Sequence, residues 1–195
     1  MIVFLGTHYN KIKEEKMKNF TIKEMTKQSL IASIYVVLTL SAGELAFGAY
    51  QFRYSEVLNL LAFYNPFNVI GVTLGVFVSN FWSTLGFADL IFGTLHTLIS
   101  LVLISRTKIF MSRTANLFLA SLFPTIFAFI IGFELSYIAK FDSFYIMTLN
   151  VMVSEFIIMT LISVPLYKAL EQSSHFIKLI GRKDRLDALG FNFNE

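Results

Sequence analysis

Six ionisable side chains interrupt otherwise uncharged apolar sequence: Glu44, Arg53, Glu56, Asp89, Glu134 and Glu155. Residues 28–105 hold only the first four, 114–139 only Glu134, and 143–167 only Glu155. Five carboxylates and one arginine leave a formal charge of −4. An ionised carboxylate only accepts hydrogen bonds, so such a group suits a ligand that offers N–H donors or positive charge. Arg53 and Glu56, three residues apart, can pair on one helix face, and that pairing is compatible with ligand contact. Glu134 and Glu155 have no basic neighbour in sequence. Asn59, Asn80 and Asn150 add uncharged donors and acceptors, although Asn150 and Glu155 diverge by roughly 140° on an ideal helix. Asp89, Gly93 and Thr97 share one helix face, where the glycine permits close approach of a ligand or a second helix.

Other chemistries find little support. With zero Cys there is no thiolate metal ligand, cysteine nucleophile or disulfide. His8, His96 and His175 are the only histidines, and two of them lie in the polar termini. His96 reads as a buried, hydrogen-bonded histidine between helices. No HExxH, GxSxG or P-loop pattern occurs, so the residues name no catalytic group, metal site or nucleotide site. The chain is therefore expected not to be an enzyme and to carry no cofactor. Its basic residues sit towards the ends rather than along one face, which argues against nucleic acid despite a net charge of +3.

The elements that must position these acids are membrane helices. The chain of 195 residues is 55% hydrophobic and 15% charged, with 22 Phe and a mean hydropathy of +0.65. A soluble domain carries roughly 25% charged residues. A bilayer core about 30 Å thick is crossed by about 20 apolar helical residues. Six segments qualify as helices: 27–48, 53–64, 66–82, 87–105, 114–138 and 143–170. Residues 53–64 rise only about 18 Å, too short to cross alone. They are expected to form a hairpin with the next helix, entered through Asn65 and Pro66, and to begin in a water-accessible depression. Lys and Arg cluster before the first helix, between the fourth and fifth, and after the sixth. Placing all three clusters in the cytoplasm requires even numbers of crossings between them, hence six helices with both termini inside. Glu44, Arg53, Glu56, Asp89 and Glu134 then fall towards the outer side and Glu155 near mid-membrane, which points to a ligand pocket opening outward.

Small residues give a second pattern. Gly71 and Gly75 form a GxxxG continued by Ser79, read as packing within the chain. Ser29 and Ser33 form a small-xxx-small pair near the start of helix one, suited to internal packing or to a partner. Lys13-Glu14-Glu15-Lys16 is the peptide that a purine-rich ribosome-binding tract would encode, which predicts translation from Met17. The expected organisation is an N-terminal extension over 1–16, outside the translated protein or disordered, then a membrane domain over 17–171. A polar cytoplasmic tail follows over 172–195, in which Phe176, Ile177, Ile180 and Leu186 allow a short interfacial helix.

At Phe52-Arg53-Tyr54-Ser55-Glu56 the sequence resembles the QueT family, queuosine-precursor S components of energy-coupling factor transporters. The similarity runs from Met17 to about Glu171. It includes Tyr35-Val36-Val37-Leu38-Thr39, Gln51, Asp89 with Phe92-Gly93, and Gly132-Phe133-Glu134-Leu135-Ser136-Tyr137. Ser154-Glu155 and Pro165-Leu166-Tyr167-Lys168-Ala169-Leu170 complete it. Glu44 departs from the pattern, where a non-acidic residue is expected.

The resemblance implies an all-α integral membrane protein: a six-helix S component in the cell membrane that captures its substrate on the outer side. It would work with a transmembrane coupling subunit and two ATPase subunits, which would hydrolyse the ATP. Ser29 and Ser33 would stand where such proteins meet the coupling subunit, as a degenerate form of the usual AxxxA. The implied substrate is a 7-deazaguanine base, whose N1–H and exocyclic NH₂ a carboxylate can accept together; one precursor also carries an aminomethyl cation. Arg53, Glu56, Asn80, Asp89, Glu134, Asn150 and Glu155 are the expected substrate-binding residues. Rival readings are an S component for another vitamin, a stand-alone small transporter moving protons or cations by Glu134 and Glu155, and a membrane assembly protein whose acids merely pair.

Overall fold

The computed structural model describes residues 22–107 and 111–191; the expected start at Met17 and the extension 1–16 lie outside them. All regular structure among the described residues is helical. Helix α1, Ile22–Ala42, runs on into a 3₁₀ turn, Gly43–Ala46. Helix α2 is a 3₁₀ stretch, Tyr54–Leu60, closed by an α turn, Leu61–Tyr64. Helix α3 is Asn68–Ser79 with a 3₁₀ turn Asn80–Trp82, and α4 is Phe87–Arg106. Helix α5 comprises Arg113–Phe127, Phe129–Phe133 and a π-helical turn, Glu134–Ile138. Helix α6 comprises Phe144–Glu155, a π-helical stretch Phe156–Ser163 and Val164–Leu170. Two short helices follow, α7 (Ser174–Ile180) and α8 (Lys183–Ala188).

Four of these helices are long and apolar enough to cross a bilayer: Ile22–Ala46, Phe87–Arg106, Arg113–Ile138 and Phe144–Leu170. Asn68–Trp82 is apolar but shorter. The exterior is correspondingly apolar, with Phe81, Trp82, Phe87, Phe118, Leu149 and Leu161 exposed. Side-chain contacts mark two ends. Lys27, Tyr64, Thr107, Glu171 and Ile180 meet at one end, the base. Ala46, Arg53 and Asp89 meet at the other, the head. Helices α1 to α6 alternate in direction between these ends, so α2 is a genuine sixth element of the bundle.

Its shortness is resolved by its position. Ser55, Glu56, Asn59 and every residue from Leu60 to Tyr64 are buried, and α2 packs against α1, α3, α4, α5 and α6. A central helix enclosed by longer ones need not match the bilayer thickness. The expected water-accessible depression at its start is not what the structure has: Arg53 and Glu56 are buried there. The turn into α3 follows the expected chemistry one step earlier than a helix cap, because the Asn65 side chain accepts the Phe67 N–H at 3.0 Å and the helix itself starts at Asn68.

Helix α3 lies directly on α1. A Cβ at Gly71 would come within 2.6 Å of the Gln28 side chain, and one at Gly75 within 2.6 Å of the Tyr35 Cβ. The GxxxG pair is thus an internal contact, as expected. Ser29 and Ser33 face outward, their hydroxyls donating to the Met25 and Ser29 carbonyls.

The tail differs most from expectation. Ile177, Ile180, Leu186, Leu189 and Phe191 belong to the same core as Leu60–Tyr64 and Tyr167, so α7 and α8 close the base instead of trailing as a polar tail. Arg185 donates to the Phe63 carbonyl at 3.0 Å and to Thr107 at 2.9 Å, the Arg182 N–H donates to Tyr64, and Lys27 donates to Ile180. Glu171 ties Tyr64, Lys168 and Arg113 together on the same end. Between the tail and the start of α3 lies a cavity of about 560 Å³ lined by Glu24, Asn65, Arg182 and Asp184.

Candidate substrate site

At the head, Arg53 precedes α2 and Asp89 occupies the first turn of α4, where a carboxylate meets the positive end of the helix dipole. The two pair at 3.3 Å with both side chains essentially inaccessible. Arg53 also donates from Nε to the Ala46 carbonyl at 2.7 Å, and its guanidinium lies 5.3 Å from the centre of the Phe47 ring. Asp89 is further held by the Ser83 hydroxyl and by the Gln51 amide at 3.4 Å. Gln51 has φ of 49°, a left-handed conformation that only a constrained turn holds at a non-glycine residue. The Asn80 amide donates to the Asp89 backbone carbonyl at 2.8 Å, leaving its own Oδ1 without a partner. This close approach needs Gly93, since a Cβ there would lie 2.9 Å from Asn80 Nδ2.

Two further carboxylates complete the group. Glu134, fully buried, lies within carboxyl–carboxyl hydrogen-bonding reach of Asp89, and no N–H or hydroxyl donor of the chain reaches either of its oxygens. Glu155 stands in the same relation to Glu56, and no N–H or hydroxyl donor reaches its Oε2. Glu56 receives the Asn59 amide at 3.4 Å. Arg53 is within electrostatic reach of Glu56 and Glu134 as well as of Asp89, so one guanidinium stands between the two acidic pairs. Tyr35, buried on α1, lies close to Glu56 and Glu155. His96 underlies the group, its Nε2 3.0 Å from the Pro124 carbonyl. It is therefore a buried histidine hydrogen-bonded between α4 and α5, as read from the sequence.

A buried polar oxygen without a hydrogen bond costs about 1–3 kcal/mol, and more when charged. Three carboxyl oxygens on two neighbouring helices have only a neighbouring acid beside them and are open to the donors of a ligand. The backbone is unusual at the same two residues. Glu134 begins the π turn of α5, and Glu155 immediately precedes the π stretch of α6. π-helical turns are rare and recur at functional sites.

The structure thus brings together Arg53, Glu56, Asn80, Asp89, Glu134 and Glu155. It leaves Asn150 aside: that residue is half-buried one turn from Ser154, and its side chain makes no hydrogen bond to the group. Glu44 is exposed. Arg53 pairs with Asp89 and not with Glu56, the partner its spacing allowed, because the chain before α2 turns the guanidinium towards Ala46 and α4. Gln51 and Ser83, which bond Asp89, are participants outside the expected site residues, and Asn59, read from the sequence as an uncharged donor, bonds Glu56. Among the described residues no cluster of His, Cys, Asp or Glu is arranged to hold a metal ion.

Comparison with known proteins adds a family. The family described as QueT transporter matches residues 25–172, nearly the whole bundle. This chain belongs to the QueT transporter family. A curated relative, the "Queuosine precursor transporter QueT" of Lactococcus lactis subsp. cremoris, is 35% identical over 134 residues, which cover 64% of this chain and 79% of that protein. No solved structure matches the chain. The QueT match spans every residue of the head cluster, and the four long apolar helices make this family member a membrane protein. Of the stretch Phe52–Glu56 that carries the resemblance, Arg53, Ser55 and Glu56 are buried, and Arg53 and Glu56 belong to that cluster.

Proposed function

We propose that this chain is the substrate-binding S component of an ATP-driven importer of the energy-coupling factor type, and that it binds a queuosine precursor at the head cluster. Glu134 carries the reading. A fully buried carboxyl group beside Asp89, with neither oxygen reached by an N–H or hydroxyl donor of the chain, suits the paired N–H donors of a 7-deazaguanine edge. Glu155, Glu56, Asp89, Arg53 and Asn80 complete the binding group, and Asn150 borders it. The name of the curated relative supports a queuosine precursor as the cargo.

In this reading the base of the bundle faces the cytoplasm of the cell and α1–α6 are six crossings, with α2 sheltered from lipid. Ser29 and Ser33, exposed near the base, meet the coupling subunit, and two ATPase subunits supply the nucleotide chemistry that this chain has no P-loop to perform. The test is reconstitution in vesicles with and without a coupling subunit and its ATPases. Uptake of a labelled 7-deazaguanine that requires ATP and all subunits is the expected result. Uptake by this chain alone, driven by a proton gradient, would sink the assignment.

A further inference from the structure

The head cluster is enclosed: Arg53, Glu56, Asp89, Glu134 and Glu155 are all buried. A ligand reaches such a site only when an element moves, and the bundle has one built to do so. Helix α5 is interrupted at Ala128, one turn beyond Pro124, which has no N–H for the Ala120 carbonyl. The Pro124 carbonyl, which a regular helix would offer to the Ala128 N–H, lies 3.0 Å from His96 Nε2 of α4. The Ala128 N–H reaches back to the Thr125 carbonyl instead, at a long 3.4 Å. Helix α6 is irregular at the same level. Ser121, just below Pro124 on α5, meets Thr160 at 3.0 Å in the middle of the π-helical stretch Phe156–Ser163.

Packing divides at these two points. Below them, Leu117 and Ala120 of α5 and Met159, Val164 and Tyr167 of α6 belong to the main core, with Leu60 and Tyr64 of α2. Above them, Ala128, Ile131 and Leu135 of α5 pack with Met147 and Val151 of α6 in a separate cluster, bordered by Ala49 and Leu85. The outer halves grip each other closely, since a Cβ at Gly132 would collide with the Thr148 side chain.

Taking the head cluster as the binding site, as proposed above, we infer that residues 129–155 swing as one hairpin. The hinge lies at residues 124–128 of α5 and at Phe156–Ser163 of α6, and the swing is the ligand's way in. Glu134 and Glu155 ride on the hairpin, whereas their acid neighbours Asp89 and Glu56 stay on α4 and α2. Opening therefore parts both acid pairs along one seam. The Ser154 hydroxyl, which donates to the Tyr50 carbonyl at 2.6 Å, latches the hairpin to the chain before α2. His96 is a positioning residue: it fixes the pivot to α4 and keeps the Pro124 carbonyl bonded while α5 bends above it.

The chain has zero Cys, so spin labels can be placed on introduced cysteines alone. One pair, Phe87→Cys with Tyr145→Cys, joins exposed positions of α4 and α6 at the head. A second, Leu98→Cys with Leu166→Cys, joins the same two helices below the hinge. In full-length, ligand-free protein in lipid, the head pair is expected to show a second, longer distance that the lower pair lacks. Saturating 7-cyano-7-deazaguanine should deplete it. Pro124→Ala gives the Ala120 carbonyl its N–H; one added backbone hydrogen bond corresponds to roughly 2- to 10-fold in a two-state ratio, so the longer component should fall by that factor. His96→Leu should change the head distribution and His96→Gln, which keeps an amide donor, should restore it, with the lower pair unmoved in both. A single head distance in the ligand-free protein, or a longer component shared equally by both pairs, overturns the inference. So does a head distribution that Pro124→Ala leaves unchanged, or one that bound probe leaves unchanged. An unchanged head distribution in His96→Leu overturns the part assigned to His96. The ligand-free results do not depend on the cargo, so their failure leaves the proposed function standing. Failure of the probe to bind would instead remove the proposed cargo and leave the hinge.

Discussion

Gly93→Ala adds a single methyl group to the middle of the head cluster. The new Cβ would sit 2.9 Å from Asn80 Nδ2 and 3.5 Å from both Arg53 Nη1 and Asp89 Oδ1. The two longer contacts are ordinary, so the strain falls on the Asn80 amide, which must retreat by about 0.6 Å to reach van der Waals separation. That amide donates to the Asp89 carbonyl at 2.8 Å, and Asp89 stands one turn from Gly93 on the same face. Retreat from one is therefore retreat from the other, and the bond is carried towards the limit of hydrogen bonding. Weakening a buried hydrogen bond costs about 1–1.5 kcal/mol, while alanine in a helix interior is favoured over glycine by about 0.8–1 kcal/mol. The two nearly cancel in stability. They do not cancel in binding, because helix propensity is the same with and without ligand, whereas a displaced Asn80 takes its unpartnered Oδ1 out of register. Thermal unfolding should shift little, and affinity for a 7-deazaguanine should fall about tenfold. A large drop in unfolding temperature with unchanged affinity of the folded fraction would refute this reasoning and make Gly93 a packing residue only.

Three other outcomes are expected. Gly75→Ala places its Cβ 2.6 Å from the Tyr35 Cβ and 3.0 Å from the Ala32 carbonyl, groups that move only with helix α1, so it should destabilise the protein by about 1–3 kcal/mol in detergent unfolding; an unfolding temperature equal to the parent's would contradict the contact. Ser33→Trp, on the exposed face of α1, should leave stability and ligand affinity unchanged while abolishing uptake with the coupling subunits, and parallel loss of affinity and uptake would assign Ser33 to internal packing instead. Arg185→Ala removes donors to the Phe63 and Thr107 carbonyls and should make α7–α8 markedly more sensitive to limited proteolysis, with unaltered cleavage as the contrary result.

The acids and the hydrophobic runs made much of the bundle legible in sequence. Each interior charge is expensive in lipid, so its mere presence at Glu134 or Glu155 signals a special environment before any contact is known. Six apolar segments were readable for the same reason. What the sequence did not carry was partnership at a distance. Arg53 reads as the partner of Glu56 because they are three residues apart, yet the backbone before α2 sends it to Asp89, 36 residues away. The tail was misread because its apolar residues are few and dispersed among charges; only in three dimensions do Ile177, Ile180 and Leu186 converge on α2. The π turns at Glu134 and Glu155 have no compositional signature to read.

The closure of the base has a consequence for the order in which the protein is made. The carbonyls of Phe63, Tyr64 and Thr107 acquire their donors from Arg182 and Arg185, which leave the ribosome only after all six bundle helices have been synthesised. Until then the base ends of α2 and α4 have their last carbonyls uncapped, and the core around Leu60–Tyr64 lacks one wall. Synthesis through the membrane thus yields an unfinished bundle, and its final structural step takes place at the base when the last two short helices arrive. The bond to Tyr64 comes from the Arg182 main chain and survives side-chain substitution there, whereas the bonds to the Phe63 and Thr107 carbonyls depend on the Arg185 side chain, which also lies over the Phe63 ring.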